Sequence, residues 1–217
     1  MNLFPIESLM SDLLNGNILS LTGASGAGKT TLIRALVFFL GHKFARLIPS
    51  NTTRPFRQGK EMPGEYRRIT LERLAYYKLL NLLAWPEALV HGHTYCTLFP
   101  DLRRALATPG ISMFALIEEV LQALEQLIPP DQLTMVYILS PPEDILVRRL
   151  RDRGEKDIDR RIAECRAWDA RALSNSIGYR FIENDRSIEW AVRQLLDVLP
   201  LRAHLMHYSR GSRIHTI

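Results

Sequence analysis

The sequence predicts an α/β fold in which a parallel sheet is covered by helices on both faces. Short apolar runs alternate along the chain with longer segments of helical periodicity. Such alternation favours parallel pairing, because each helix carries the chain back across the sheet to start the next strand. The composition agrees, since 217 residues with 47% hydrophobic and 24% charged side chains suit one globular domain.

Five segments have the length and composition of buried strands. Each is a short apolar run that ends at a glycine, a proline or a polar cluster. The first leads directly into a glycine-rich turn, the second is followed by Pro49, and Pro141 comes soon after the fourth. The predicted strands are 17–22, 44–48, 113–117, 134–139 and 179–182.

Six segments between or after these strands have helical periodicity. Gly41 lies where a C-terminal glycine ends the first helix, Thr70 suits the N-cap of the second, and Gly154 separates two amphipathic helices. The region 51–66 is rich in threonine, arginine, glycine and proline, which predicts a loop or a small irregular subdomain. The predicted helices are 30–40, 71–83, 118–127, 143–153, 157–173 and 187–199.

The charge pattern indicates an anionic partner. The chain has a net charge of +5, mostly from arginines that are scattered through predicted helices and loops. Because a guanidinium fork binds phosphate through two hydrogen bonds, small phosphate compounds match this charge at least as well as nucleic acid. The sequence contains no recognised nucleic-acid motif and no apolar run of about 20 residues, so we expect neither nucleic acid nor membrane as a partner.

Cysteine usage and the N-terminus indicate a compartment. Cys96 and Cys165 are far apart in sequence and give no disulfide framework. The first 20 residues lack the basic start of a signal peptide and contain Glu7 and Asp12. We therefore expect a reducing, cytoplasmic environment.

The strongest functional signal is the glycine-rich segment 23–30, Gly-Ala-Ser-Gly-Ala-Gly-Lys-Thr. It fits the phosphate-binding loop pattern of two glycines five positions apart followed by lysine and threonine, with a strand before it and a helix after it. Glycines let the backbone turn tightly enough for several N–H groups to converge on phosphate, and the following helix adds its positive end. The pattern predicts a nucleoside triphosphate site in which Lys29 reaches the β- and γ-phosphates and Thr30 ligates Mg²⁺.

A second signal is the polar run 50–57, Ser-Asn-Thr-Thr-Arg-Pro-Phe-Arg, with Tyr66 a short way on. Two guanidinium groups and a phenol can surround one phosphate dianion. A polar turn with solvated arginines is the alternative interpretation of this run taken alone.

With these two motifs in order, the sequence resembles the guanylate kinase family. Later segments resemble further motifs of that family: Gly92 to Thr97, the strand end Leu116-Ile117-Glu118, the apolar strand that ends at Pro141-Pro142, Arg149-Leu150 with Arg153-Gly154, and Asn184-Asp185. The resemblance covers about residues 17–199. The phosphate-binding loop is shared by many enzymes, whereas the Thr-Thr-Arg run in this order is much narrower.

The resemblance implies roles for the matching residues. Those that would bind ATP are Gly23, Ala24, Ser25, Gly26, Ala27, Gly28, Lys29, Thr30, Thr31 and Asn184. Those that would hold the acceptor's phosphate are Arg54, Arg57, Tyr66 and Tyr95, and those that would read its guanine edge are Ser50, Thr97 and Glu118. Those that would act in catalysis are Lys29, Arg54, Arg149, Arg153 and Arg161, with Arg160 as the alternative to Arg161.

The resemblance also implies a fold and a reaction. The fold would be that of P-loop NTPases, with a core at 17–50 and 98–199, an acceptor-binding subdomain at 51–97, a helical lid near 149–161 and a tail at 200–217. The reaction would be phosphoryl transfer from ATP to GMP with Mg²⁺, which gives GDP and ADP and belongs to purine nucleotide metabolism. The enzyme would be a monomer or a homodimer.

Several positions depart from the family pattern. The family has aspartate where this chain has Glu65 and Glu118, and a glycine where this chain has Cys96. The family's Leu-Glu pair, whose glutamate binds guanine, is missing before Gly92, so that Glu87 or Trp85 stands in that region. These departures bear on the acceptor base rather than on the phosphates.

Three alternative functions follow from these features. A kinase of the same fold that acts on a deoxynucleotide or a ribose phosphate is favoured by the missing Leu-Glu pair. A non-catalytic interaction module is opposed by the intact loop with Lys29 and Thr30, and a nucleic-acid-binding protein is suggested only by the basic charge. His91, His93 and Cys96 form a weak candidate metal set, because a closed zinc site needs four ligands.

Overall fold

The computed structural model describes residues 16–57, 61 and 63–199. Residues 1–15 and the basic tail at 200–217 lie outside this description. The strands in the described ranges are β1 Gly16–Thr22, β2 Ala45–Leu47, β3 Ser50–Thr52, β4 Tyr66–Arg68, β5 Ala88–Val90, β6 His93–Cys96, β7 Gly110–Ala115, β8 Leu133–Ile138 and β9 Arg180–Ile182. The α-helices there are α1 Lys29–Leu40, α2 Leu71–Leu79, α3 Phe99–Ala107, α4 Leu121–Leu127, α5 Glu143–Asp152, α6 Ile158–Ser174 and α7 Ile188–Val198.

The larger of two sheets has five strands in the order β2-β7-β1-β8-β9, and all four of its pairings are parallel. The predicted fold class is therefore confirmed. The central strand β1 is buried along its whole length, which accounts for its apolar sequence.

Each face of the large sheet packs against helices, because successive side chains of a strand point to opposite faces. On β1, Leu19 and Leu21 pack with Leu36 of α1 and Leu195 of α7. Ile18 lies in the other core cluster, which includes residues of α3, α4 and α6. Two apolar layers thus hold β1 in place, and the turn that follows β1 starts from a rigid support.

The smaller sheet has four strands in the order β4-β3-β6-β5, of which only β3 and β4 pair in parallel. Threonines join β3 to β6: the Thr52 hydroxyl donates to the Thr94 carbonyl at 2.9 Å, and the Thr94 N–H donates to the Thr53 hydroxyl at 3.0 Å. These bonds anchor the chain immediately before Arg54.

Two predicted helix ends are confirmed. The hydroxyl of Thr70 accepts a hydrogen bond from the Arg73 N–H at 3.1 Å, as an N-cap does. Gly41 follows α1 with φ of 77°, a backbone conformation that glycine adopts without strain.

Other element predictions differ from the structure. Helix α2 ends at Leu79 rather than at residue 83, because the chain turns at Asn81, where φ is 51°, and Leu83 then bridges to Leu98. Residues 118–120 form a 3-10 turn before α4. Helix α3 and strands β3 to β6 were not predicted from the sequence, including the part of β3 inside the predicted loop. None of the helices in the described ranges has the length and apolar character needed to cross a bilayer.

Candidate active site

The loop at 23–30 connects β1 to α1 at the carboxyl end of the central strand. Gly23, Gly26 and Gly28 have φ of 145°, 89° and 104°, which side chains disfavour. A Cβ atom at Gly23 would lie 2.6 Å from the Ile138 carbonyl oxygen, so that position has no room for a larger residue. The glycines predicted from the pattern are therefore required by the backbone that the chain adopts.

Two of the predicted site residues support this loop from behind. The Asn184 side-chain amide donates to the Ala27 carbonyl at 2.7 Å. Arg149 donates to the Asn184 backbone carbonyl at 2.8 Å and to the Gly26 carbonyl at 3.4 Å. Asn184 and Arg149 thus support the loop, whereas the resemblance implies ATP binding for Asn184 and catalysis for Arg149.

Lys29 lies at the start of α1 with its ammonium over the loop. Its Nζ donates to the carbonyl oxygens of Gly23 and Ala24, the latter at 3.0 Å. Burial of the ammonium, followed by the positive charge of Arg153, lowers the pKa of Lys29 to about 8. The lysine is therefore still mainly charged at neutral pH, and added negative charge nearby would favour its charged form.

Arg54 lies between two tyrosine rings, just after β3. Its guanidinium carbon is 4.7 Å from the centre of the Tyr66 ring and 5.4 Å from that of the Tyr95 ring. The Arg54 side chain is 15% exposed, and its Nε atom is buried without a hydrogen-bond partner. Since buried polar groups normally have partners, this guanidinium is well placed for an anion in the cleft that it faces.

The carboxylate of Glu61 lies among three arginines. It contacts Arg54 Nη2 at 3.3 Å and Arg57 Nε at 3.5 Å, and it also pairs with Arg68. Burial alone would raise the pKa of Glu61, but the hydrogen bond from Arg68 and the charges of all three arginines lower it overall. Glu61 follows the polar run 50–57 in the sequence, but no role was predicted for it, although its spacing of four residues from Arg57 was a signal.

The loop and the arginines face one cleft of about 860 Å³. Of the predicted site residues, its wall includes Gly23, Ala24, Ser25, Gly26, Gly28, Lys29, Thr30, Thr31, Ser50, Arg54, Arg57, Tyr66, Tyr95, Thr97, Arg153 and Arg161. Those absent from the wall are Ala27, Arg149, Asn184 and Glu118. The structure thus brings together the two signals found in the sequence.

The segment from the end of α5 into α6 contributes Arg161 to this wall. Arg161 pairs with Glu164 at 2.8 Å and with Glu155 at 3.5 Å, and it contacts the His91 ring at 3.0 Å. Arg160 is 63% exposed and is not part of the wall. Of the two arginines considered for the lid, Arg161 is the one that lines the cleft.

The residues at the start of α1 fit a hard divalent cation. The Thr30 hydroxyl lies 3.3 Å from a carboxylate oxygen of Glu65, so two oxygen donors adjoin the loop. Mg²⁺ in phosphotransfer sites needs only one or two protein carboxylates besides the phosphates. Within the described ranges, no three His, Cys, Asp or Glu residues form a metal cluster, so the candidate set around His91 is not supported.

Comparison with known proteins identifies the family. A family model described as guanylate kinase matches residues 15–201. The chain belongs to the guanylate kinase family. A guanylate kinase of Neisseria gonorrhoeae is 30% identical over 199 residues, which cover 88% of this chain and 90% of that protein. One of Anaeromyxobacter dehalogenans is 32% identical over 199 residues, with coverage of 87% and 82%.

The fold comparison agrees with this family. The crystal structure of guanylate kinase from Anaplasma phagocytophilum matches with a TM-score of 0.55 at 15% identity, and the match covers 92% of this chain and 89% of that one. At that identity the likeness concerns the fold alone. The resemblance stated from the sequence is confirmed, and the guanylate kinase fold places the loop and the arginines at one cleft.

Glu118 departs from its expected position in a guanylate kinase. It begins the 3-10 turn after β7, pairs with Arg171 of α6 at 3.6 Å and is not part of the cleft wall. Glu87, the other acid considered for guanine, pairs with Lys78 instead. The structure therefore turns both acids toward cations outside the cleft.

The wall near Ser50 and Thr97 is otherwise mostly apolar. Trp85, which is 5% exposed, packs edge-on against Phe114 with ring centres 6.0 Å apart. The wall residues contributed by this region are Ser50, Trp85, Ala88, Val90, Cys96, Thr97, Leu116, Ile117 and Val120. Hydroxyl groups are thus the main hydrogen-bonding side chains here, in contrast to the carboxylates expected in this family.

Proposed function

We propose that this member of the guanylate kinase family transfers the γ-phosphoryl group of ATP to a nucleoside monophosphate, with GMP as the leading acceptor. The products are ADP and GDP. The observation that carries the proposal is the single cleft shared by the phosphate-binding loop and the arginine-tyrosine cluster. Two phosphate groups bound at these walls can approach each other end to end.

Each wall has a distinct task in this reaction. The loop and Lys29 hold the triphosphate, while Arg54 and Arg57 hold the acceptor's phosphate between Tyr66 and Tyr95. Phosphoryl transfer needs mainly positioning and neutralisation of spreading negative charge. Thr30 would hold Mg²⁺, which would supply further positive charge to the phosphates.

The lid completes the charge neutralisation. Arg153, which directly follows α5, and Arg161, in the first turn of α6, reach the same cleft. An arginine-bearing lid that closes over the phosphates also excludes water, which would otherwise hydrolyse ATP. We further propose the domain division of the sequence analysis, with the acceptor-binding subdomain at 51–97 containing α2 and most of the smaller sheet.

A second candidate is a kinase of the same fold that acts on another phosphorylated acceptor, such as a deoxynucleotide or a ribose phosphate. The outward pairing of Glu118 and Glu87 favours it, because guanine presents adjacent N–H donors that need an acceptor. A non-catalytic module is disfavoured by the intact loop geometry with Lys29 and Thr30.

An acceptor panel tests the proposed function. ADP release would be measured with ATP and Mg²⁺ against GMP, dGMP, AMP, CMP, UMP and ribose phosphates. The highest kcat/KM with GMP is the expected result. Turnover of a ribose phosphate alone would support the second candidate, and the absence of turnover across the panel would contradict a phosphotransferase.

We predict that Glu118→Gln changes kcat/KM for GMP by less than about threefold. The reason is that the Glu118 side chain, which is 15% exposed, pairs with Arg171 outside the cleft wall, and glutamine keeps the shape of the side chain there. If Glu118 read guanine, leaving the base donors unpaired would cost roughly 1–3 kcal/mol, or about 5–150-fold. Thr97→Val is the contrasting variant, because Thr97 lies in the wall and its loss should raise KM for GMP.

The lowered pKa of Lys29 predicts a pH effect on ATP capture. Since the ammonium form binds phosphate, kcat/KM for ATP should fall as pH rises above about 8, the pKa in the free enzyme. Bound phosphates favour the charged form of Lys29, so kcat should stay unchanged up to a higher pH than kcat/KM. Both constants would be measured from about pH 6 to 10 at saturating acceptor. Equal pH limits for the two constants would contradict this assignment.

We also propose a cellular compartment and a set of ligands for the enzyme. Both cysteines of the chain, Cys96 and Cys165, are free and buried, which supports a reducing cytoplasmic compartment. The ligands are the nucleotides themselves, bound by a monomer or a homodimer, with no role for nucleic acid or a membrane.

A further inference from the structure

The contact between Thr30 and Glu65 joins the two halves of the cleft. Thr30 belongs to the phosphate-binding loop, whereas Glu65 immediately precedes β4 of the smaller sheet. Glu65 is only 7% exposed, and its backbone carbonyl accepts a hydrogen bond from the Ser50 N–H at 3.2 Å. The sheet pairing therefore fixes the position from which this carboxylate reaches the loop threonine.

The large sheet does not supply the carboxylate that this kind of site normally uses. In P-loop NTPases, Mg²⁺ is held by the loop serine or threonine together with an aspartate that comes from the sheet. Here β7 ends at Ala115 and continues into Leu116 and Ile117, which line the cleft as apolar residues. The next residue, Glu118, turns away to Arg171.

The remaining acids of the cleft wall belong to the lid region. Glu155 and Glu164 both pair with Arg161, and Asp152 lies at the end of α5. Of the acids in this wall, Glu65 is the one whose carboxylate is hydrogen bonded to Thr30. A carboxylate and a loop hydroxyl side by side are the donor types that Mg²⁺ prefers.

We propose that Glu65 is the carboxylate of the metal site in this enzyme and takes over, from the smaller sheet, the task that a residue of the large sheet normally has. It would act on the metal directly or through the metal's water molecules. This inference rests on the proposed function, because it presumes a nucleotide bound with its metal at the loop. The inference adds Glu65, which immediately precedes β4 of the smaller sheet, to the residues of the metal site.

The position of Glu65 links the metal to the acceptor clamp. Its neighbour Tyr66 lies against Arg54, and burial together with the charge of Glu65 raises the pKa of Tyr66 to about 12. Tyr66 therefore keeps its proton, and its hydroxyl donates a hydrogen bond to the Glu65 carboxylate. The Glu65 carboxylate is thus shared between the Thr30 hydroxyl of the loop and the Tyr66 hydroxyl of the clamp.

Mn²⁺ binding measured by electron paramagnetic resonance tests this inference without any transfer reaction. Wild-type protein, Glu65→Gln and Glu118→Gln would each be titrated with Mn²⁺ in the presence of ADP. Nucleotide affinity would be measured separately in EDTA. Glu65→Gln should weaken Mn²⁺ binding to the nucleotide complex by about 10–100-fold and leave metal-free ADP affinity unchanged. Glu118→Gln should bind Mn²⁺ as the wild type does.

A second variant guards against a purely structural effect. Glu65→Asp keeps the charge but withdraws it by one methylene, so its Mn²⁺ affinity should lie between those of wild type and Glu65→Gln. Unchanged Mn²⁺ affinity in Glu65→Gln, or an equal loss of metal-free ADP affinity, would overturn the inference. A wild type that binds Mn²⁺ and ADP but phosphorylates none of the panel would refute the proposed function and leave Glu65 as a metal residue.

Discussion

Lys29→Met should lower kcat by at least about 10³-fold while the fold stays intact. The ammonium lies over the phosphate-binding loop, within hydrogen-bond distance of two loop carbonyls. In the transition state it would face the oxygens on which negative charge accumulates, and a thioether carries no charge to offer them. A 10³-fold loss corresponds to about 4 kcal/mol of transition-state stabilisation, which is the size expected for one charged donor in a water-excluded site.

The measurement for Lys29 is single-turnover ADP formation with saturating ATP and GMP, together with a thermal unfolding curve. Methionine has a similar length and an apolar stem, so we expect little change in unfolding temperature. Lys43→Met is a matched control, because Lys43 is exposed and lies outside the cleft wall. Normal turnover in Lys29→Met would remove the phosphate-binding loop from the mechanism.

The loop could be predicted from the sequence because its signal is local. Three glycines, a lysine and a threonine in one short segment demand a particular backbone, and φ values of 89° and 104° at Gly26 and Gly28 agree with that demand. The parallel sheet could be predicted from the sequence for the same reason, because its strands are continuous apolar runs. In both cases the residues that determine the structure are neighbours in the chain.

The smaller sheet could not be predicted in the same way. Its strands have three or four residues, and β3 pairs with β6 across a long stretch of intervening chain. Such strands carry too few residues to show a period of two, and their pairing depends on threonine contacts such as those of Thr52 and Thr94. Helix α3 was missed although Pro100 and Asp101 stand in its first turn, where helices favour them.

The directions in which the site carboxylates point could not be predicted from the sequence either. The motif placed Glu118 at a strand end, whereas β7 ends at Ala115, and the 3-10 turn and Arg171 decide which way the Glu118 carboxylate points. Glu65 was noticed only as a longer replacement for aspartate, and its contact with Thr30 depends on how the two sheets meet. Residues distant in sequence determine both outcomes.

Arg54→Ala should lower kcat/KM for the acceptor by about 10²–10³-fold and leave ATP affinity nearly unchanged. The guanidinium is held between Tyr66 and Tyr95, with ring centres 4.7 and 5.4 Å away. A preorganised fork of this kind binds a phosphate dianion through two hydrogen bonds. Its removal also leaves the buried Glu61 carboxylate with one cation fewer, which further disfavours an incoming anion.

The variants at Arg54 separate positioning from charge. Arg54→Lys keeps the charge but loses the planar fork, so it should recover only part of the lost kcat/KM. Arg73→Ala is a matched control, because Arg73 stacks on Tyr76 and Tyr77 in α2 and lies outside the cleft wall. Steady-state kinetics with each substrate varied in turn would show the effect. A loss of ATP affinity as large as the loss of GMP affinity would mean that Arg54 holds the two walls together instead of binding the acceptor. An unchanged acceptor KM and kcat would contradict the proposed phosphate clamp of Arg54 with Tyr66 and Tyr95.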